Sequence, residues 1–154
     1  MGLLKSMLPE FSGGSVLEAG PGTGLFAKMM FDSFDVKSYT VLDLEKNIGD
    51  SRLLLEGDSL KAEYVVSQDY ECLFGRPFDL FVSNVCLPET PRYYQEAIAR
   101  EVLPYCRMAF IVGGDGSAGG VYNAWIRTVF ESVFVSWEER DAGYCGTLAL
   151  VGSR

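Results

Sequence analysis

Val16-Leu17-Glu18-Ala19-Gly20-Pro21-Gly22-Thr23-Gly24 runs from a short apolar stretch into a glycine cluster and straight on into a helical pattern. A strand that turns this abruptly into a helix belongs to a βα unit. Glycine lets the backbone turn tightly and lets a ligand approach it closely. The helix amino terminus adds unpaired N–H groups and a partial positive charge. Together these make a nucleotide-type binding site. The spacing is G-x-G-x-G with Leu25 following, whereas the dinucleotide fingerprint is G-x-G-x-x-G. No lysine stands where a P-loop requires one.

The rest of the chain repeats the strand–helix alternation. Strands are expected at Ser15–Ala19, Ser38–Leu44, Ala62–Ser67, Phe78–Ser83 and Met108–Val112. Helices are expected at Thr23–Phe31, Ile48–Glu56 and Val121–Phe130. Another helix is expected to open at Thr90-Pro91, with Thr90 as N-cap and Pro91 at the first helical position. Phe78–Ser83 has Asp79 as its one polar interruption before Ser83, which suits a strand covered on both faces. Gly113–Gly120 reads as a glycine-rich loop. The end differs, with strands at Ser132–Glu138 and Cys145–Val151 too close for a helical crossover, so the pair must be antiparallel. The expected fold is therefore α/β: a Rossmann-like, doubly wound, mostly parallel seven-stranded sheet with a C-terminal β-hairpin. Residues 1–154 read as a single domain, long enough to bury a core without disulfides or metals.

The formal net charge of −8 argues against nucleic-acid binding and against docking on an anionic membrane. No apolar run approaches the length of a membrane span. Gly2 and Ser6 fit a myristoylation pattern superficially; a short helix is the plainer reading. Cys72, Cys86, Cys106 and Cys145 form no C-x-x-C pair, and the chain has no histidine, so no structural metal is expected. Scattered cysteines read as small buried hydrophobes in a reducing compartment, and the expected location is the cytoplasm.

Two acids flank the glycines. Glu18 precedes Gly20 by two residues, and an acid beside amide donors suits a zwitterionic amino-acid group better than a pyrophosphate. Asp43 ends the second strand, where a carboxylate accepts from ribose hydroxyls. NAD enzymes use the same device, so Asp43 indicates an adenosine ligand without choosing between classes. Asp69 could accept from an adenine amino group and Tyr70 could pack on a ring; a turn residue and a core aromatic are equal alternatives.

Leu17-Glu18-Ala19-Gly20-Pro21-Gly22-Thr23-Gly24 resembles the first motif of class I S-adenosylmethionine-dependent methyltransferases, with Asp43 as their second-strand acid. The reversed last strand fits the same fold. Phe78-Asp79-Leu80-Phe81-Val82-Ser83-Asn84-Val85-Cys86-Leu87-Pro88-Glu89, Tyr39–Glu45 and Tyr94-Gln95-Glu96 resemble bacterial sugar O-methyltransferases more narrowly. That resemblance implies an S-adenosyl-L-methionine cofactor and a small hydroxylated acceptor, with a sugar as the first expectation. Glu18, Gly20 and Gly22 would hold the amino-acid end of the cofactor, with Gly24 closing the motif. Asp43 and Leu44 would hold ribose and adenine, Asp69 and Tyr70 would flank the adenine, and Ser83 and Asn84 would face the methyl group. Two departures stand out. Val85 and Pro88 replace a tyrosine and a small polar residue, and about fourteen residues precede the first strand where the group carries a substantial covering segment. A homo-oligomer or a larger parent protein would supply that cover.

A hydroxyl acceptor benefits from a general base, here a carboxylate, tyrosine or lysine. Glu89 is the first choice and Asp115, in Gly113-Gly114-Asp115-Gly116, the second. Arg92 and Tyr93 are read as exposed first-turn residues rather than acceptor contacts. Two other readings stay open: a non-catalytic cofactor-binding or assembly module, and a nicotinamide-dependent dehydrogenase.

Overall fold

A computed structural model describes residues 3–113, 119–141 and 148–154. A short helix α1 (Leu3–Met7) precedes β1 (Gly13–Ala19), α2 (Leu25–Ser33), β2 (Asp35–Asp43), α3 (Glu45–Gly57) and β3 (Glu63–Val66). A 3-10 segment, Ser67–Leu73, leads to β4 (Phe78–Asn84), the one-turn α4 (Cys86–Glu89), α5 (Arg92–Glu101) and β5 (Cys106–Gly113). The chain closes with α6 (Gly119–Val133), β6 (Ser136–Asp141) and β7 (Leu148–Ser153).

The seven strands form one sheet in the order β3-β2-β1-β4-β5-β7-β6. β1 to β5 are parallel; β7 runs antiparallel to both β5 and β6. The expected doubly wound sheet with its antiparallel hairpin is therefore the observed fold. Sequence order reverses between β1 and β4, so the carboxyl ends of those strands open a crevice there, the usual ligand position in such sheets.

Strand alternation sends successive side chains to opposite faces. Val16, Val41, Leu80, Val82, Met108 and Phe110 pack with Leu4, Leu8, Ala27, Met30 and Leu55 on the side of α1, α2 and α3. Leu17, Leu42, Phe81, Ala109 and Ile111 pack with Ile98, Val102, Val129 and Phe130 on the side of α5 and α6. Both faces are covered, as the apolar runs Leu80–Val82 of β4 and Met108–Val112 of β5 require.

Several boundaries differ from expectation. Helix α5 starts at Arg92, with Pro91 itself in the cap position and no side-chain cap bond. The Thr90 hydroxyl instead donates to the Leu87 carbonyl at 2.8 Å, the same carbonyl that accepts the Thr90 N–H at 3.2 Å, because α4 places it within reach. The hairpin begins later than expected. Phe130 and Phe134 both pack into the core, and Phe134 N–H donates to the Phe130 carbonyl, so the helix runs through Val133 and β6 starts at Ser136. The second hairpin strand runs through Leu148–Ser153, two residues past its expected end at Val151, and its expected start at Cys145 lies outside the described residues. Gly119 and Gly120 lie in α6 rather than in the loop assigned to Gly113–Gly120.

The start of the β1–β4 seam is closed by a side chain. Regular pairing begins at Val16 opposite Leu80. Below it, Asp79 Oδ2 accepts from Ser15 N–H at 2.8 Å and from the Ser15 hydroxyl at 3.0 Å, and Arg107 pairs with Oδ1 at 3.5 Å. These bonds hold the Asp79 carboxyl below the usual carboxylate range, the Ser15 N–H bond contributing most. Asp79→Ala leaves the Ser15 N–H without its acceptor, and the expected loss is about 1–2 kcal/mol for a partly exposed charge-assisted pair. Urea unfolding measures it; a midpoint shift within error of wild type would contradict this account.

Candidate active site

Gly20, Gly22 and Gly24 all take positive φ, at 76°, 57° and 84°. The turn they form leaves β1 and delivers the chain to α2. A Cβ added to Gly20 would collide with the Cys86 side chain, so the turn and the segment after β4 touch through a glycine. A Cβ at Gly22 would meet nothing within 4 Å, which leaves open space over the middle of the turn. Gly24 caps α2 with no side-chain hydrogen bond, so the first-turn N–H groups of α2 have no side-chain acceptor at the cap.

Glu18, at the end of β1, is fully buried. Its Oε2 accepts from the Tyr39 hydroxyl at 2.8 Å, while Oε1 is buried with no hydrogen-bond partner among the described residues. Burial pushes the carboxyl up to about 7, against the stabilising Tyr39 bond and with Asp43 adding repulsion. Tyr39 is itself raised well above its ordinary value, by burial first and then by Glu18. A half-satisfied buried acid is costly unless a cation or donor completes it.

Asp43, nearly buried at the end of β2, uses one oxygen locally. Its Oδ1 accepts from Leu44 N–H at 2.7 Å and from the Asn47 side chain at 2.9 Å. None of the described residues bonds Oδ2. Leu44 is 45% exposed beside it.

The segment after β4 turns sharply. Val85 N–H still donates to Val112, but Val85 itself sits at φ 65°, a strained position for a β-branched residue. That turn carries Cys86 onto Gly20. Burial, then Asp43, Glu89 and Glu18, push the Cys86 thiol up to about 11. Three acids from β1, β2 and α4 therefore converge electrostatically on one point.

Ser83 is buried, and its hydroxyl oxygen accepts from Leu87 N–H at 2.8 Å, which pins α4 to β4. Asn84 is half-buried at the strand end and Glu89 is exposed at the end of α4. Asp69 is exposed in the 3-10 segment. Tyr70 is half-buried and packs on Tyr94 at 4.7 Å between ring centroids and on Phe74 at 5.5 Å. Tyr94 is raised by burial and by the neighbouring Cys86, Tyr70 and Asp43, which puts this aromatic cluster beside the crevice. Asp115 lies outside the described residues.

Glu18, the three glycines, Asp43, Leu44 and Asn84 thus share the carboxyl ends of β1, β2 and β4. Two participants escaped the sequence reading. Tyr39 could have been found by stepping back in twos from Asp43 along β2. Cys86 gave no signal, because its place depends on the Val85 turn. A separate cleft of about 500 Å³ lies at the opposite strand ends, lined by Ser15, Asp79, Arg107 and Arg154 among others. It has neither the glycine turn nor the orphaned carboxyl oxygen.

No protein-family model and no curated protein sequence matches the chain. Its fold is similar to that of an O-methyltransferase family protein from Burkholderia thailandensis, with 15% identity and a TM-score of 0.72 over 91% of this chain and 50% of that one. It is similar to the methyltransferase domain of bacterial CtHen1, at 12% identity and a TM-score of 0.70, over 98% of this chain and 95% of that one. A ribosomal protein L11 methylase from Lactobacillus delbrueckii subsp. bulgaricus gives 15% identity and a TM-score of 0.68 over 91% and 69% of the two chains. The chain spans half the length of the Burkholderia protein. The likeness shows a shared Rossmann-like methyltransferase fold.

The raised Glu18 carboxyl has a signed consequence. Unfolded, it loses its proton near 4.5; folded, near 7. Between these values the folded state holds a proton that the unfolded state has lost, so stability falls as pH rises through the window. The span corresponds to on the order of 3 kcal/mol. Glu18→Gln removes that slope. Paired denaturation curves at pH 4.5 and pH 7 measure the difference, and an equal pH dependence in both proteins would contradict the burial account.

Proposed function

We propose that this chain binds S-adenosyl-L-methionine and transfers its methyl group to an oxygen of a small hydroxylated acceptor, a sugar being the first expectation. The observation that carries the reading is Glu18 Oε1, a fully buried acceptor without a partner beneath an open glycine turn. The cofactor's α-ammonium supplies the charge and the donors that this oxygen lacks. Its carboxylate suits the uncapped amino terminus of α2. Asp43 Oδ2 is available to ribose hydroxyls, and exposed Leu44 with the Tyr70–Tyr94 cluster offers apolar surface to adenine. Asp69 follows the end of β3 and Asn84 ends β4, which is compatible with contacts to adenine and to the methyl-bearing sulfur.

The bound cofactor supplies an electrophilic methyl group on a sulfonium sulfur. The chain's own task is to orient the acceptor oxygen and to take its proton. Glu89 is the proposed acceptor of that proton, since α4 places it directly after β4 and within electrostatic reach of Cys86. Ser83 acts at one remove, holding α4 in position through Leu87. A nicotinamide dinucleotide would share Asp43 but would bring a pyrophosphate toward Glu18, which a buried acid disfavours.

Calorimetry with S-adenosylhomocysteine tests the donor half. Saturable binding to the wild type is expected, weakened about 10- to 100-fold by Asp43→Ala, the equivalent of one or two lost charge-assisted hydrogen bonds. No binding at millimolar ligand, or displacement by NAD at lower concentration, would sink the reading. Glu89→Gln should bind S-adenosylhomocysteine normally and slow methyl transfer by about 10²-fold or more.

A further inference from the structure

Glu18 is an acid in the wrong place for a charge. It stands in β1 between β2 and β4, opposite Val41 and Val82, and has no exposed surface. Oε2 takes the Tyr39 hydroxyl at 2.8 Å, and Oε1 meets no donor among the described residues. The titratable groups that reach it are Tyr39 and Asp43 from β2 and Cys86 from α4. None of them is a cation: Asp43 repels a carboxylate, Cys86 is a thiol, and Tyr39 keeps its proton. The cations on the helices of the same face are engaged elsewhere. Lys28 of α2 pairs with Asp32 and Asp58, and Arg52 of α3 pairs with Glu56 and covers the Tyr64 ring. Lys5 of α1 and Lys46 of α3 are exposed.

A buried carboxylate without a cation takes up a proton rather than keep its charge. Burial accordingly pushes this carboxyl up to about 7. Because Oε2 already accepts from Tyr39, the proton belongs on Oε1, the oxygen without a partner. An ammonium group needs a charged acceptor, and a protonated Oε1 offers it a donor instead. Proton and ammonium therefore compete for one oxygen.

We propose that donor binding at this site is an exchange: Glu18 is a neutral acid in the empty chain, and the arriving α-ammonium displaces its proton from Oε1 to solvent. One O–H bond breaks, no covalent bond to the ligand forms, and a proton leaves as an ammonium enters, so the net charge at Glu18 and its partner stays at zero. Tyr39 is a positioning residue: it holds the carboxyl through Oε2, leaves Oε1 to the ligand, and stabilises the carboxylate that remains. Binding tightens as pH rises through the range in which the empty chain holds the proton. The inference rests on the donor-site reading above and adds to it the proton that the site releases.

The test is calorimetry of the full chain with S-adenosylhomocysteine at about pH 6, in MES and in imidazole, whose different protonation enthalpies report the protons released. Close to one proton should leave per ligand bound, and the dissociation constant should fall about tenfold for one unit of rising pH in this range. In the infrared difference spectrum, a protonated-carboxyl C=O band should be lost on binding. Glu18→Gln has no proton to give; it should bind without release, without that band, and with an affinity flat across the same range. Tyr39→Phe withdraws a bond from the carboxylate, so its loss of affinity should be several-fold larger at about pH 6.5 than at about pH 8, whereas a merely structural defect weakens both alike. Saturable binding with no proton released, or a release that persists in Glu18→Gln, would overturn the inference and leave the donor reading standing. An equal loss at both pH values in Tyr39→Phe would overturn the role given to Tyr39. Should that variant not fold, Glu18→Gln and the infrared band decide. Failure of S-adenosylhomocysteine to bind at any pH strikes the donor reading, and the exchange with it.

Discussion

Tyr39 donates to Glu18 across two neighbouring parallel strands, and that one bond is what permits an acid in the middle of the sheet. Without it both carboxyl oxygens would be buried and unpaired, a cost the fold could not carry lightly. With it, one oxygen is satisfied and the other is left in need. The result is a core residue with one unpaired oxygen, and the expected pH sensitivity of the fold follows from the same burial.

The glycine turn and the segment after β4 depend on each other. Gly20 has no side chain because Cys86 occupies the space, and Cys86 is there because Val85 takes a left-handed conformation. A strained β-branched residue persists only where its surroundings over-determine it. Here the Val85 N–H is held by Val112 and the following turn is held by Ser83 through Leu87. The strain is therefore carried by bonds to β4 and β5, the most completely buried strands of the sheet, and it sets where Glu89 and α5 begin.

Features with a short-range cause were legible in the sequence. Strand–helix alternation, the glycine turn and Asp43 each follow from a few adjacent residues, and the fold class followed from their order. What was hidden depended on distant partners. Thr90 looked like an N-cap because Pro91 follows it, but its hydroxyl found the Leu87 carbonyl of a helical turn that no local pattern announced. The last helix outran its expected end because Phe130 and Phe134 pack against Gly152 of a strand later in the chain. Cys86 looked inert from spacing alone; its position at the crevice comes from a backbone conformation that valine rarely adopts.

The strand ends and the helices that follow β4 are fastened differently, and this explains why the first are easier to read from sequence. Glu18, Asp43 and Asn84 stand on ends of strands whose ladders fix them, so their geometry is inherited from the sheet. Arg92 and Glu89 stand on a one-turn helix and the first turn of another, tied down by side chains: Ser83 to Leu87, Gln95 to Thr90, Arg92 to Trp125 and Glu96. The segment after β4 is thus held in place by side chains, whereas the ends of β1 and β2 are held by the sheet ladder itself.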